Sequence, residues 1–483
     1  MSSKTVCIHI FRRDYRLYDN TALIEACKTY DIVVPIFIFT KVQITENPLR
    51  SDNAVQFLCE SLRDLGEQLH EKGGNLFTFY GDDFSILGDI VSSIGKIGGY
   101  QVKCVSFNKD MTAYSQKRDA KIREMMKKVN IDVLELDDIT LHPLGTVTTN
   151  GGKMYSKFTP YWRAASSIKV DEPIANSHKN YQGICGELAR KLLQHSSAIT
   201  MEDIMKPDGQ IMGKVNEKLP ERGGRANGLK ILAKMGMWRN YDDMRDELIY
   251  NTTHLSPFNK FGCVSIREVY HSMVDKLGSK NGVIRQLFWR DFFYNLSALH
   301  PEIYKGPLNT KFAGIKWEND PVKFKAWCEG RTGFPVVDAA MREINETGYM
   351  HNRGRLIVSN FLVRLLQVDW RMGEHYFAKK LYDYDPAQNN FGWQTGAATT
   401  PTISRPLAQT ILNPWIQSSN FDKDAEYIKK WLPELKEVTA SHLHKWDEHC
   451  DEWLEKGVKY IKPIIDYKLE KEKNLKLYAK YVK

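Results

Sequence analysis

Apolar and polar positions follow two rhythms along this chain. Through the first 140 or so residues, short runs rich in Val, Ile and Phe recur: "TVCIHIF" (5–11), "DIVVPIFIF" (31–39), "NLFTFYG" (75–81) and "QVKCVSF" (101–107). Apolar runs of this length without polar alternation predict strands buried on both faces of a parallel sheet. Between the second and third, "DNAVQFLCESLRDLGEQLHEKGG" (52–74) repeats its apolar residues at helical spacing and stops at Gly73–Gly74, as helix C-termini do. Strand, helix and strand in repetition predict a doubly wound α/β domain over residues 1–140.

From 141 to 217 the rhythm is lost. "HPLGTVTTNGGK" and "KPDGQIMGK" are turn-rich, and the stretch reads as a linker with short helices. From 218 to 483 strand signals nearly vanish, and "GVIRQLFWRDFFYNLSALH" (282–300) and "GRLIVSNFLVRLLQVDW" (354–370) carry helical periodicity. The expected fold is therefore an α/β domain followed by a larger all-α domain. Ten of the eleven tryptophans lie at or beyond residue 238, as suits a large helical core. The tail, "DYKLEKEKNLKLYAKYVK" (466–483), reads as a solvated Lys/Glu helix.

A chain of 483 residues needs two or three cores. With 42% apolar and 26% charged residues it has the composition of a globular protein. No apolar run reaches eighteen residues and the N-terminus has no signal-peptide pattern, so neither a membrane span nor a secretory leader is expected. The eight cysteines are scattered with no CxxC pair, which predicts reduced thiols in a cytoplasmic or nuclear setting. A net charge of +9 is compatible with a polyanionic partner but does not require one.

Several motif classes fail. No P-loop and no HExxH occurs, and the first strand is followed by "FRRDYRLYDNTAL" instead of a dinucleotide-binding glycine triplet. "HLHKWDEHC" (442–450) offers His442, His444, His449 and Cys450, but lacks the paired spacing of zinc sites. It reads as a helical surface with scattered histidines, and no metal site is predicted. "LYDYDPAQNNFGWQT" (381–395) is more informative. Asp385 before Pro386 has the form of a helix N-cap with proline at the first helical position, an explanation that leaves Asp383, Asn389 and Trp393 unaccounted for.

Those residues sit in a longer context. "RTGFPVVDAAMREINETGYMHNRGRLIVSNFLV" (331–363) and "DWRMGEHYFAKKLYDYDPAQNNFGWQ" (369–394) closely resemble the DNA photolyase/cryptochrome family. The resemblance extends in order through "FRRDYRLYDNTAL" (11–23), "MYSKFTPYWR" (154–163), "NTTHLSPF" (251–258), "QLFWRDFFYNL" (286–296) and "FDKDAEYIKKWLPEL" (421–435), covering nearly the whole chain. It implies an antenna domain (1–140), a linker (141–217) and a helical FAD-binding catalytic domain (218–483). It also implies light-dependent repair of a flipped-out cyclobutane pyrimidine dimer in UV-damaged DNA by photoexcited reduced FAD, acting as a monomer.

By the same resemblance, FAD is held by Tyr241, by the loop Thr252, Thr253, His254, Leu255 and Ser256, and by Arg290, Asn352, Arg355, Asp383, Tyr384, Asp385 and Asn389. Asn389 is assigned to flavin N5 and Arg355 to the partner of Asp383. Hydroxyls and N–H groups at a helix start suit phosphate oxygens. Trp393, Trp370 and Trp317 match a relay that carries an electron from the surface to photoexcited flavin. Arg245, Gln286, Trp289, Asn352 and Arg353 match positions that contact DNA or the lesion. An antenna chromophore of folate, deazaflavin or flavin type is implied, although "FNKDMTAYSQKRD" (107–119) lacks the residues typical of the folate site.

The sequence departs from the usual cyclobutane-dimer pattern at Gln286 (glutamate), Thr395 (tryptophan), Leu356 (methionine) and Tyr349 (tryptophan), and in the run between Trp393 and "LNP" (412–414), where a different DNA contact is expected. Asn352 and Leu356 in "HNRGR" stand where six-four photolyases carry two histidines, which argues against six-four repair. The alternatives are a cryptochrome-type photoreceptor without repair and a six-four photolyase.

Overall fold

The computed structural model describes residues 3–400 and 406–481. Residues 401–405, in the run expected to contact DNA differently, lie outside the described residues. The apolar runs of the first 140 residues form parallel strands β1 (Lys4–Ile10), β2 (Ile32–Thr40), β3 (Phe77–Gly81) and β4 (Tyr100–Asn108). A fifth strand, β5 (Asp132–Leu136), pairs with β4 and gives the sheet order β3-β2-β1-β4-β5. Its sequence, DVLEL, has no long apolar run because an edge strand needs none. Four of its five residues are only half-buried.

The helix within 52–74 spans Asp52–Glu71, and Ser51 caps it by accepting from the backbone N–H of Ala54. Asn20 caps Thr21–Thr29 in the same way, accepting from Leu23 N–H. The core of this layer is aliphatic, with Val6, Ile8, Val34, Ile36, Phe79 and Val105 fully excluded from water.

Compact packing groups the chain into two units. One comprises Met1–Glu217, Glu221–Arg239 and Thr253–Leu299, and the other comprises Lys218–Pro220, Asn240–Thr252 and His300–Lys483. Much of 221–299, helical in pattern, thus packs with the sheet. A buried charge network shows why. Arg267 donates to Asp19 Oδ2 (2.8 Å) and to Asp138 Oδ1 (3.1 Å), while Arg16 donates to Asp138 Oδ2 (2.6 Å). Arg16 and Asp19 of the "FRRDYRLYDN" stretch are thereby tied to Asp138 and to Arg267, the latter 248 positions from Asp19. Burial alone would raise the pKa of Asp138, but Arg16 and Arg267 outweigh it and hold the carboxyl below its ordinary range.

The second unit is helical, and no strand occurs beyond β5 among the described residues. The periodicity read over 354–370 does not run as one helix. An α-helix, Asn352–Asn360, passes into a π-helical turn, Phe361–Leu365. Gln367 then takes a left-handed φ of 53°, and Asp369 caps a new helix, Trp370–Lys380. The apolar pattern continues across the break because Phe361, Leu362, Val363, Leu365 and Leu366 are all buried whichever turn they occupy.

Candidate cofactor and lesion site

In the helical unit, "HNRGR" opens the Asn352–Asn360 helix, with His351 as its cap: the imidazole Nδ1 accepts from Arg353 N–H at 3.1 Å. One turn on, Arg355 Nη2 donates to both oxygens of Asp383, at 2.9 and 3.1 Å. Arg355 Nε donates to Met350 O (2.8 Å), which fixes the guanidinium plane. Burial works against the charge on Arg355, but the Asp383 carboxylate beside it more than compensates and raises its pKa. Tyr349 lies under that guanidinium, 5.5 Å from ring centroid to Cζ, and its hydroxyl meets Thr252 Oγ1 at 3.1 Å. Burial pushes the phenol up to about 12.

Asp385 caps the Pro386–Gly396 helix, accepting from Ala387 and Gln388 N–H, as the Asp-Pro pair predicts. Asn389 and Asn390, neighbours on that helix, both reach Glu374 of the Trp370–Lys380 helix. Asn389 Nδ2 donates to the Glu374 backbone carbonyl (3.2 Å), and Asn390 Nδ2 donates to its carboxylate (3.0 Å). Burial raises the Glu374 carboxyl to about 7, opposed by the Asn390 hydrogen bond. Sequence reasoning did not single out Glu374. Its signal was present, four residues after Trp370 and on the same helical face.

Trp393 is 2% exposed and packs edge-on to Phe377 (5.0 Å between centroids) and Trp327 (5.9 Å). Gly373 makes room for it: a Cβ there would stand 2.1 Å from the indole. Trp370, also 2% exposed, shares this core, and half-buried Trp317 packs against it and lies 6.3 Å from Tyr478. Arg353 pairs with Asp246 (2.7 Å) and covers the ring of Phe421 at 4.1 Å. Asn352 is exposed at the helix start, Tyr241 opens the short Tyr241–Met244 helix, Arg245 follows it, and Tyr384 is half-buried.

In the sheet unit, Thr253 Oγ1 accepts from Leu255 N–H at 3.4 Å, His254 adopts a φ of 50°, and Ser256 begins the Ser256–Phe261 helix. Gln286, Trp289 and Arg290 share the Gly282–Leu299 helix. Gln286 Nε2 donates back to Gly282 O (3.2 Å). Trp289 stacks on Phe158, with centroids 3.6 Å apart and planes within 9°. Arg290 Nη1 donates to Ile139 O (2.5 Å), and its guanidinium covers Tyr294 at 4.5 Å. Phe158 and Asp246 are partners that a one-dimensional reading had no means of finding.

Comparison with known proteins adds a second line of evidence. Residues 7–178 match the family described as DNA photolyase, and residues 283–480 match the FAD binding domain of DNA photolyase. A deoxyribodipyrimidine photo-lyase of Vibrio cholerae is 32% identical, covering 97% of this chain and 98% of its own. That of Escherichia coli is 31% identical over 97% of each. Among solved structures, a Sulfolobus tokodaii photolyase with two FAD molecules has a TM-score of 0.80 at 34% identity, covering 98% of this chain and 100% of its own. A Synechocystis cryptochrome, at 23% identity, shares the fold with a TM-score of 0.86 over 99% of this chain and 100% of its own.

Proposed function

This chain belongs to the DNA photolyase family, and on that footing we propose that it is a light-dependent deoxyribodipyrimidine photolyase that binds FAD and splits cyclobutane pyrimidine dimers in UV-damaged DNA. The observation that carries this reading is the Arg355–Asp383 pair in the helical unit, set in a sequence context matched by a photolyase FAD-binding domain. When bound, reduced FAD supplies the photoexcited electron that opens the dimer.

The residues fit a flavin in their chemistry. Asp383 is buried and accepts from Arg355 with both oxygens, so the pair offers a fixed polar arrangement to the polar edge of an isoalloxazine. Asn389 commits its amide nitrogen to the Glu374 carbonyl, which makes its amide oxygen the acceptor for a flavin N–H. Trp393, Trp370 and Trp317 run from fully buried to half-buried within one core, as a hole-conducting series to the surface requires. In this reading Thr252, Thr253 and Ser256 take the diphosphate oxygens, with Tyr241, His254, Leu255, Arg290, Asn352, Tyr384 and Asp385 as further FAD contacts. Arg245, Gln286, Trp289, Asn352 and Arg353 meet the DNA or the lesion. A flipped dimer packs against Trp289, which Phe158 stacks on and holds in place, and Gln286 gives it a neutral hydrogen bond.

The functional division proposed is antenna domain 1–140, linker 141–217 and catalytic domain 218–483, with a second chromophore of folate, deazaflavin or flavin type in the first. None of the described helices is long and apolar enough to cross a membrane. A monomer in the cytoplasm or nucleus completes the reading, the compartment supported by eight free cysteines, six of them buried. The test is repair of a cyclobutane-dimer oligothymidine by the reduced protein under blue light, read as recovery of absorbance at 260 nm against a dark control. Recovery in light alone is expected. Its absence from a flavin-loaded, reduced sample would favour the photoreceptor, and repair of a six-four oligonucleotide would favour the other lesion.

A further inference from the structure

Two of the histidines in "HLHKWDEHC" come together across the turn that joins the Ala440–Leu443 and Trp446–Glu455 helices. The rings of His442 and His449 stack with centroids 3.8 Å apart and planes within 5°. Glu452, three residues beyond His449 on the same helix, places Oε2 3.9 Å from Nδ1 of each imidazole. Its other oxygen, Oε1, accepts from Lys456 Nζ at 2.6 Å. Oε2 is therefore the oxygen turned to the two rings. This is the one place among the described residues where three such groups bring ligand atoms within 4.8 Å of one another. Imidazole lone pairs lie in the ring plane, so an ion held by both rings requires them to rotate out of the parallel stack until their nitrogens, with Oε2, converge on it at zinc–nitrogen and zinc–carboxylate distances of about 2.0–2.2 Å.

The other two members of the motif are excluded by their contacts. His444 engages both ring nitrogens, Nδ1 with Ser418 Oγ (2.7 Å) and Nε2 with Lys423 O (3.0 Å), and Cys450 is buried in the helical core. The remaining three are accessible, with 28%, 31% and 46% of their side chains exposed, so a hydrated ion reaches them without unfolding. The indole N–H of Trp453 donates to His442 Nδ1 at 2.8 Å. An indole N–H can only donate, so this imidazole nitrogen carries a lone pair and not a proton, which is the form a metal needs. The same bond competes with an ion for that lone pair.

We propose that His442, His449 and Glu452 form a binding site for one divalent transition-metal ion of the zinc class, with water as the fourth ligand and the Trp453 indole as the group that occupies the His442 lone pair in the metal-free protein. Two imidazoles and one carboxylate with an open position match the donor set and coordination number of zinc, and imidazole favours this class of ion over magnesium or calcium. The proposal is independent of the photochemical reading.

The test uses tag-free, FAD-loaded full-length protein, stripped with chelator and titrated calorimetrically with Zn²⁺. One ion per chain is expected, with affinity falling as the pH is lowered because protons compete for the nitrogens. His449→Gln and Glu452→Gln should each weaken binding at least tenfold while leaving the far-UV circular dichroism unchanged. His271→Gln, a histidine elsewhere on the surface, should change nothing. Trp453→Phe should tighten binding several-fold, since the competing hydrogen bond is gone. No binding by the wild type, or equal binding by the wild type, His449→Gln and Glu452→Gln, would overturn the site. Unchanged or weaker binding by Trp453→Phe would remove the indole from the proposal.

Discussion

Two of the protein's arrangements of arginine and buried carboxylate are built differently. In the sheet unit, Asp138 and Asp19 keep about 1% of their side chains exposed, Arg16 keeps 2% and Arg267 keeps 9%. Each carboxylate is answered by guanidinium, hydroxyl or backbone donors from the protein: Asp138 by Arg16, Arg267 and Thr21 N–H, and Asp19 by Arg267, Ser265 and Ile174 N–H. In the helical unit Asp383 is as deeply buried, at 3%, while 28% of Arg355 remains accessible. A closed network of the first kind holds backbone segments together. The same two residue types thus stand in a closed network in one region and in a partly accessible pair in the other, and under the proposed function only the second meets a ligand.

The largest expected effect comes from opening the closed network. Asp138→Ala leaves Arg16 and Arg267 buried without their shared anion, which should cost roughly 3–5 kcal/mol. A urea titration following circular dichroism checks this, and a loss below 1 kcal/mol would show that the network is dispensable. Arg355→Ala should have a smaller effect on folding and a larger one on the cofactor, reducing the flavin-to-protein ratio of the purified protein at least tenfold. Full flavin loading would place Arg355 outside the site. Next comes the seat of Trp393. Gly373→Ala forces a methyl group against the indole and should cost about 1–3 kcal/mol. Trp393→Phe, which keeps an aromatic ring but shortens it, should slow flavin photoreduction in light while sparing repair by chemically reduced protein. Unchanged photoreduction would remove Trp393 from the relay.

The smallest effect is in the pH dependence, where Asp138 of the sheet unit and Glu374 of the helical unit have opposite signs. Asp138 has a depressed pKa, so its contribution is present above the unfolded carboxyl value and is lost as pH falls through the folded one. Glu374 and Glu343 in the helical unit are raised to about 7, each mainly by burial. The folded state binds their protons more tightly, so their contribution is full below the unfolded value near 4.5 and is lost as pH rises toward 7. Glu374→Gln should flatten the stability profile between pH 5 and 8 by on the order of 1 kcal/mol. An unchanged slope would mean that Glu374 is ionised throughout.

Much of this protein was determined by local sequence. The apolar runs at 5–11, 31–39, 75–81 and 101–107 became β1 to β4, because a strand buried on both faces must be apolar along its length. Asp385 before Pro386 became a helix cap, since the carboxylate and the missing proline N–H act within one turn. Family membership was also legible, because the motif residues stand in order along the whole chain. Tertiary structure decided the rest. β5 exists because β4 offers it an edge, and the sequence pattern over 354–370 hides the break at a π-turn and Gln367 because burial is the same on both sides of it. His442, His449 and Glu452 meet, while His444 and Cys450 turn elsewhere, because a turn between two helices sets which faces converge. The partners of Arg267, Arg353 and Trp289 lie 248, 107 and 131 positions away. Pairings at that distance are fixed by packing and leave no periodic trace in the chain.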